Sequence, residues 1–223
     1  MTEQIRRILV WSGRLRLAHW TLAVATLVLL VTGWLIGNAP TLAESAVEIH
    51  YLAASLLIFA LALRLYLGLF GQGAERLAHL LPRGAELAAL RSSLWFYLSL
   101  GRAAAPNWFA HNPLWKPLYL VLFLSLLMAV LTGWLMPEIP LVGGLYLPEV
   151  HRWLAHLIGL LTAAHLFSVI LQDVKGRSGD ISAMFSGYRL FYVPPAAAVR
   201  PDSAKVTVSL DSLARPRPSD WQH

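Results

Sequence analysis

Four stretches of the chain are almost continuously apolar, and polar segments separate them. Their approximate bounds are residues 17–36, 49–70, 114–136 and 150–171. A helix needs about 20 apolar residues to cross a hydrocarbon layer about 30 Å thick, so each stretch is long enough to span a membrane. The pattern predicts an all-α membrane protein whose fold is a four-helix transmembrane bundle.

The first apolar stretch follows a basic N-terminal segment, which is also a feature of secretory signal peptides. It is longer than the apolar region of a typical signal peptide, and it contains His19 and Trp20. We therefore interpret this stretch as a retained span.

The longest polar insertion lies between the second and third spans. Leucine recurs there at helical spacing, at Leu87, Leu90, Leu94 and Leu98. This spacing predicts an amphipathic helix on the cytoplasmic membrane surface, within residues of about 74–101. The chain beyond the fourth span is rich in proline, alanine and polar residues. We expect residues 1–190 to form the membrane domain and residues 191–223 to form a disordered cytoplasmic tail.

Basic residues are distributed unevenly between the two sides of this bundle. Lys and Arg occur before the first span, in the long insertion and after the fourth span, whereas the two remaining connections contain none. Because loops rich in Lys and Arg stay in the cytoplasm, both termini are predicted to be cytoplasmic and the protein to lie in the bacterial inner membrane. This distribution accounts for the net charge of +6 without a nucleic-acid partner.

The overall composition is typical of an integral membrane protein. Hydrophobic residues make up 57% of the chain and charged residues 13%, whereas about 25% of a typical soluble domain is charged. The chain contains no cysteine. Disulfides, iron–sulfur clusters and the thioether attachment of c-type haem are therefore excluded from this chain.

Two histidines of the fourth span, His151 and His165, lie fourteen residues apart. On an α-helix this spacing comes within about 40° of whole turns and rises about 21 Å, so both imidazoles share one face and lie near opposite membrane surfaces. Such a separation suits two stacked haems better than one small metal site. His156 points about 140° away from His151 and is not expected on that face.

A partner histidine is available at each of these two levels. His19 begins the first span at the inner side, where His165 also lies. His50 begins the second span at the outer side, where His151 lies. Ionisable side chains within membrane spans are costly and are candidates for function. We predict that the first pair binds an inner haem iron and the second pair an outer haem iron, although any one of these histidines alone could be an interfacial or hydrogen-bonded residue.

The same fourteen-residue offset marks further positions. Gly33 lies fourteen residues after His19, where a glycine would let a haem macrocycle approach the backbone. Gly133 belongs to a second TGWL string that matches the one containing Gly33. Close helix packing with interfacial tryptophans is the alternative explanation of both strings. Arg64 lies fourteen residues after His50, where it would pair with an inner haem propionate or extend to the membrane surface.

The remaining histidines have other expected roles. His156 is expected to make a polar contact between helices or with a haem edge. His79, His111 and His223 are expected to be solvated.

Several short motifs together resemble the bacterial cytochrome b561 and hydrogenase b-type cytochrome family. They are R-x-x-H-W from Arg16 to Trp20, the TGW string that contains Gly33, the HNPL string that begins at His111, and H-x13-H from His151 to His165. The resemblance covers residues of about 11–190. It implies four spans that carry two b-type haems on His19, His50, His151 and His165, with Arg16 among the residues that bind the cofactor.

The resemblance further implies that the chain passes electrons between a partner redox protein and quinone. The partner would be a hydrogenase-like protein, a dehydrogenase or a cytochrome c, and membrane lipid would surround the spans. An iron that binds two histidines has no open coordination position. We therefore expect a non-catalytic electron-transfer subunit without catalytic residues.

Two other functions are also compatible with the sequence. The chain could be a quinone oxidoreductase in its own right, with a small electron donor such as superoxide, and it would then turn over without a partner protein. It could also be a metal-ion transporter that binds zinc through the histidines. Zinc requires four ligands a few ångströms apart, and no intramembrane Asp or Glu accompanies these histidines.

Overall fold

The computed structural model describes residues 4–81, 84–104, 108–176 and 179–193. The chain divides into a main unit, Arg7–Phe191, and a smaller unit made of Met1–Arg6 and Tyr192–His223. All of the helices given below lie in the main unit. The first three residues of the predicted disordered tail, 191–193, are instead the end of a strand. The rest of the predicted tail, from residue 194 onward, lies outside the described residues.

Four long helices dominate the described part of the chain. The helices in chain order are α1 (Gly13–Asn38), α2 (Ala43–Phe70), α3 (Leu87–Leu98), α4 (Trp115–Leu135), α5 (Leu147–Lys175) and α6 (Asp180–Ser186). Among the described residues, α1, α2, α4 and α5 are long and apolar enough to cross a membrane. The predicted all-α, four-span architecture is confirmed, and each long helix matches a predicted apolar stretch to within a few residues.

The ends of the long helices follow from residues beside them. Ser12 caps α1, because its side chain accepts the backbone N–H of Leu15 at 3.1 Å. Pro148 lies in the first turn of α5, where a missing backbone N–H costs no helical hydrogen bond. Lys175 lies in the last turn of α5, where a cation complements the helix dipole.

Short elements connect the helices. Among the described residues, single-turn 3₁₀ helices cover Pro40–Leu42, Gly73–Glu75, Leu77–His79 and Gly84–Glu86. The strands are β1 (Gln4–Leu9), β2 (Leu141–Val142), β3 (Leu145–Tyr146) and β4 (Tyr188–Val193). Strand β1 pairs with β4, and β2 pairs antiparallel with β3. Gly143 and Gly144 have φ of 57° and 84°, which are the left-handed values that a tight two-residue hairpin turn requires.

The four long helices form two hairpins that share a small apolar core. Helix α1 packs along α2, and α4 packs along α5. Six buried residues drawn from all four helices form the core: Leu22, Ala25, Leu57, Ala60, Leu126 and Ile158. Much of the remaining apolar surface points outward, and Trp134, for example, is 77% exposed. This distribution suits helices whose outer surface meets lipid.

The polar insertion is tied to the beginning of α1 through Glu75. Its carboxylate accepts hydrogen bonds from the Ser12 hydroxyl, from Arg14 Nη2 at 3.2 Å and from the Gln72 backbone N–H at 2.9 Å. Burial alone would raise the pKa of Glu75, but these donors hold it below its ordinary value. Helix α3 lies in the segment where an amphipathic helix is predicted, and its position on the membrane surface stays a prediction.

Candidate functional site

The structure brings together His19 of α1 and His165 of α5. Their ring centres are 6.3 Å apart and their planes cross at 68°. The rings of Trp115 and Tyr119, both on α4, lie against His165 at 5.2 and 5.8 Å. The predicted inner pair is therefore a pair in space, enclosed by aromatic side chains.

A second pair lies toward the other end of the bundle, where α2 begins. His50 of α2 and His151 of α5 have ring centres 6.4 Å apart, and their planes cross at 65°. The two pairs thus have nearly the same geometry, and each pair takes one histidine from each helical hairpin.

Both ring separations fit a metal ion held between two imidazoles. Two metal–imidazole bonds of about 2.0–2.1 Å, with about 1.2 Å from each bonded nitrogen to its ring centre, place two ring centres about 6.5 Å apart. Two imidazoles per site would suit haem, which supplies the remaining ligands of its own iron, better than zinc, which needs four ligands. Within the described residues, no group of three or more His, Cys, Asp or Glu side chains converges on one point.

Each pair borders a largely apolar cavity between the two hairpins. The inner cavity has a volume of about 410 Å³ and is lined by His19 and His165 together with Arg64 and Tyr97. The outer cavity has a volume of about 630 Å³ and is lined by His50 and His151. Thr26 lines both cavities. The chain therefore offers two adjoining chambers, each with a histidine pair, that fit flat apolar cofactors.

The two glycines of the TGWL strings lie beside the outer pair. A Cβ added at Gly33 would lie 3.6 Å from Cε1 of His50, and one added at Gly133 would lie 3.1 Å from Cε1 of His151. Both glycines line the outer cavity. Their predicted contact with a macrocycle stays a prediction, but the glycines do leave room for the histidine rings.

The threonines of the same strings contact the same histidines. Thr32 Oγ1 lies 2.8 Å from Nδ1 of His50, and Thr132 Oγ1 lies 3.0 Å from Nδ1 of His151. From the sequence, these strings predict helix packing or clearance for a haem, and the role of the threonines is not predicted. The signal was present, because an identical string precedes each outer histidine by a similar number of residues.

Arg64 is buried beside the inner cavity, with 6% of its surface exposed. Its Nη1 donates to the backbone carbonyl of Glu75 at 2.8 Å, and its guanidinium lies 5.4 Å from the centre of the Phe123 ring. Arg64 therefore has an acceptor within the protein that the sequence did not reveal. Its pairing with a haem propionate stays a prediction.

Arg16 points toward α6. Its Nη1 donates to the backbone carbonyl of Phe185, whereas the described lining of the inner cavity contains other residues of α1. Its predicted role in binding the cofactor stays a prediction that rests on the family motif.

The expectation that His111 is solvated is wrong. Its ring packs against Trp11 at 5.0 Å and Tyr119 at 6.1 Å, and it lines the inner cavity. Burial lowers its pKa to about 3, with smaller contributions from nearby cations. His111 is therefore neutral at physiological pH.

His156 and His79 lie away from both pairs. His156 is exposed, and its Nδ1 lies 2.8 Å from the carbonyl of Arg152 on the same helix. It therefore makes an intrahelical contact and not the expected contact between helices. His79 is exposed, in agreement with the expectation, and His223 lies outside the described residues.

A four-helix membrane bundle with half-buried histidine pairs facing apolar cavities is the architecture of a membrane-bound cytochrome b. The chain belongs to the prokaryotic cytochrome b561 family, whose model matches residues 10–187. The predicted family resemblance is thereby confirmed. The chain is a b-type cytochrome of the electron-transport class that carries haem b, and it is a multi-pass protein of the bacterial inner membrane.

Curated relatives match most of the chain. A probable Ni/Fe-hydrogenase B-type cytochrome subunit of Cupriavidus necator is 28% identical, over 85% of this chain and 89% of the relative. The corresponding protein of Azotobacter vinelandii is 27% identical, over 85% and 92%. The probable Ni/Fe-hydrogenase 1 B-type cytochrome subunit of Escherichia coli is 23% identical, over 81% and 89%. No solved structure gives a significant match.

Proposed function

We propose that this chain is a non-catalytic electron-transfer subunit that carries two b haems and passes electrons between a hydrogenase-type partner and quinone. The observation that carries the proposal is the presence of two histidine pairs at two levels of the bundle. The inner pair is His19 with His165, and the outer pair is His50 with His151. Haem b bound at each pair would supply a one-electron carrier.

The side chains of this protein hold and enclose the two cofactors. His19 with His165 and His50 with His151 would each hold one haem iron, and an iron held by two histidines would have no free position for a substrate. Apolar side chains line most of each cavity. Arg64 would pair with a propionate at the inner cavity. Arg16 is proposed as a cofactor-binding residue because it belongs to the family motif. Gly33 and Gly133 provide clearance at the outer pair.

The partner and the exchangeable substrate are proposed on narrower grounds. The relatives' names support a hydrogenase-type partner over a dehydrogenase or a cytochrome c. Quinone is proposed from the family resemblance. Membrane lipid is proposed as the surrounding of the exposed apolar side chains of the four spans.

The cofactor count is tested with the purified chain. A pyridine haemochrome assay, referred to protein by amino-acid analysis, should give two haems per chain. Acid–acetone should extract both, because the chain has no cysteine to form a thioether. One haem per chain, haem that resists extraction, or zinc in place of iron would overturn the proposal.

A second measurement separates the subunit from a stand-alone quinone oxidoreductase. The purified chain alone should not reduce quinone with superoxide as donor, whereas it should do so with its partner and the partner's reductant. Co-purification from native membranes should recover a hydrogenase. Full turnover by the chain alone would favour the stand-alone enzyme.

A further inference from the structure

Thr32 and Thr132 occupy matching positions in the two hairpins. Each belongs to a TGWL string near the end of the first helix of its hairpin, and each is 4% exposed. Each hydroxyl contacts Nδ1 of the outer histidine on the following helix, at 2.8 Å for His50 and 3.0 Å for His151. The same device is thus built twice at one site, once for each histidine of the outer pair.

The direction of these hydrogen bonds follows from the proton count of a hydroxyl. Thr32 Oγ1 lies 2.8 Å from the carbonyl of Val28, and Thr132 Oγ1 lies 2.8 Å from the carbonyl of Met128. A hydroxyl has one proton, and a carbonyl can only accept it. Each threonine therefore donates to its own helix and accepts a hydrogen bond from Nδ1–H of the histidine.

The surroundings of His151 support this assignment independently. Its Nδ1 also lies 3.1 Å from the backbone carbonyl of Ala129. Since that oxygen is a pure acceptor, Nδ1 must carry the proton. The other ring nitrogen, Nε2, then has a free lone pair, which is the form of imidazole that binds a metal.

We propose that Thr32 and Thr132 are positioning residues that fix the tautomer and orientation of His50 and His151 for the outer haem iron. The inference rests on the proposed function. A hydrogen bond accepted from Nδ1–H also makes the imidazole a more basic ligand, which stabilises oxidised iron relative to reduced iron. The threonines therefore help to retain the outer haem and also lower its midpoint potential.

The inner pair lacks this arrangement. Nδ1 of His165 is buried and has no hydrogen-bond partner within the part of the chain that the structure describes. The nearby Ser168 hydroxyl donates to the backbone carbonyl of His165 and not to its ring. Loss of the threonine hydroxyls should therefore change the outer haem and leave the inner haem unchanged, so the inner haem is an internal reference.

The experiment compares Thr32→Val, Thr132→Val and their combination with the Thr→Ser changes at the same positions. Valine keeps the branched shape and removes the hydroxyl, whereas serine keeps the hydroxyl. Thr21→Val is the matched control, because Thr21 Oγ1 makes the same bond to the carbonyl four residues earlier, that of Leu17, at 2.8 Å. The readouts are haem content per chain and the two midpoint potentials from a spectroscopic redox titration.

The valine changes should raise the outer midpoint potential and weaken outer haem binding, and serine should restore both. Loss of a hydrogen bond to a metal-binding histidine typically weakens metal binding 10–100-fold. A tenfold larger loss of affinity for oxidised than for reduced haem would raise the midpoint by about 59 mV. Thr21→Val should leave both potentials at the wild-type values.

Each outcome has one meaning. Outer haem that is lost with valine and kept with serine supports the inference, and outer haem that is lost with both overturns it. If the wild-type chain binds two haems and the valine variants keep the wild-type outer midpoint potential, the inference is overturned. The proposed function is then unaffected. A wild-type chain with one haem would overturn the proposed function itself, whatever the threonine variants show.

Discussion

Replacing Gly133 with alanine should weaken outer haem binding more than the same replacement at Gly33. The new Cβ at Gly133 would lie 3.1 Å from Cε1 and 3.5 Å from Nδ1 of His151. The new Cβ at Gly33 would lie 3.6 Å from Cε1 of His50, which is an ordinary van der Waals contact. The ring of His151 must therefore move by a few tenths of an ångström, whereas the ring of His50 can stay in place.

The hydrogen bonds of His151 set the size of the difference. Its Nδ1 lies 3.0 Å from Thr132 Oγ1 and 3.1 Å from the carbonyl of Ala129. Both variants gain up to about 1 kcal/mol from the higher helix propensity of alanine, so this benefit cancels in the comparison. Loss of one hydrogen bond costs about 1 kcal/mol, which corresponds to about a fivefold loss of haem affinity.

The assay is transfer of haem from each variant to an excess of a haem-binding competitor in detergent, followed by absorbance. Gly37→Ala is the control, because a Cβ there meets nothing within 4 Å. The expected order of retention of the outer haem is Gly37→Ala, then Gly33→Ala, then Gly133→Ala. Equal losses at Gly33 and Gly133 would refute the reasoning, since they would mean that both glycines contact the macrocycle and not the histidine rings.

Three further predictions concern other residues. His156→Ala should keep both haems, because His156 is exposed and bonded within its own helix, whereas His151→Ala should lose the outer haem alone; haem content per chain distinguishes them. Burial alone would raise the pKa of Glu75, but its donors hold it below the ordinary 4.5, so its stabilisation is complete above that value and is lost as the pH falls through the lowered folded-state pKa. Glu75→Gln should therefore lower the melting temperature at pH 7 and reduce its further fall in acid, and a parallel acid response in both proteins would contradict this. Burial raises the pKa of Tyr97 to about 12, so the difference spectrum between wild type and Tyr97→Phe should show no phenolate at pH 10.

The spans and the histidine pairs could be predicted because local rules determine them. Helix length against bilayer thickness gives the four spans, and the spacing of His151 and His165 along one helix gives two levels. Charge in the connecting loops then decides which histidine of another span belongs at each level. These steps require only the periodicity of a helix and the direction of each span, not knowledge of which helices touch.

The contacts of the side chains around the site required the tertiary structure. The expectation for His111 was wrong because its ring packs against Trp11, which is distant in sequence, and against Tyr119 of the following helix α4. The bond from Arg64 to Glu75 was missed because Glu75 lies in the polar insertion, for which the sequence predicts only an amphipathic surface helix and no contact with a span. A hydropathy pattern gives the average surroundings of a segment and does not identify the partner of one buried polar atom.

The division of the bundle into two hairpins has a consequence for how the protein is made. Helix α1 packs on α2 and α4 on α5, and the two cavities lie between the hairpins. Each histidine pair has one member in each hairpin, so cofactor bound at both levels would brace the two halves against each other. A newly inserted chain would have only a small apolar core to hold its halves together until the cofactors arrive. Haem supply, and not translation alone, would then set how much of this protein escapes membrane proteases and is retained.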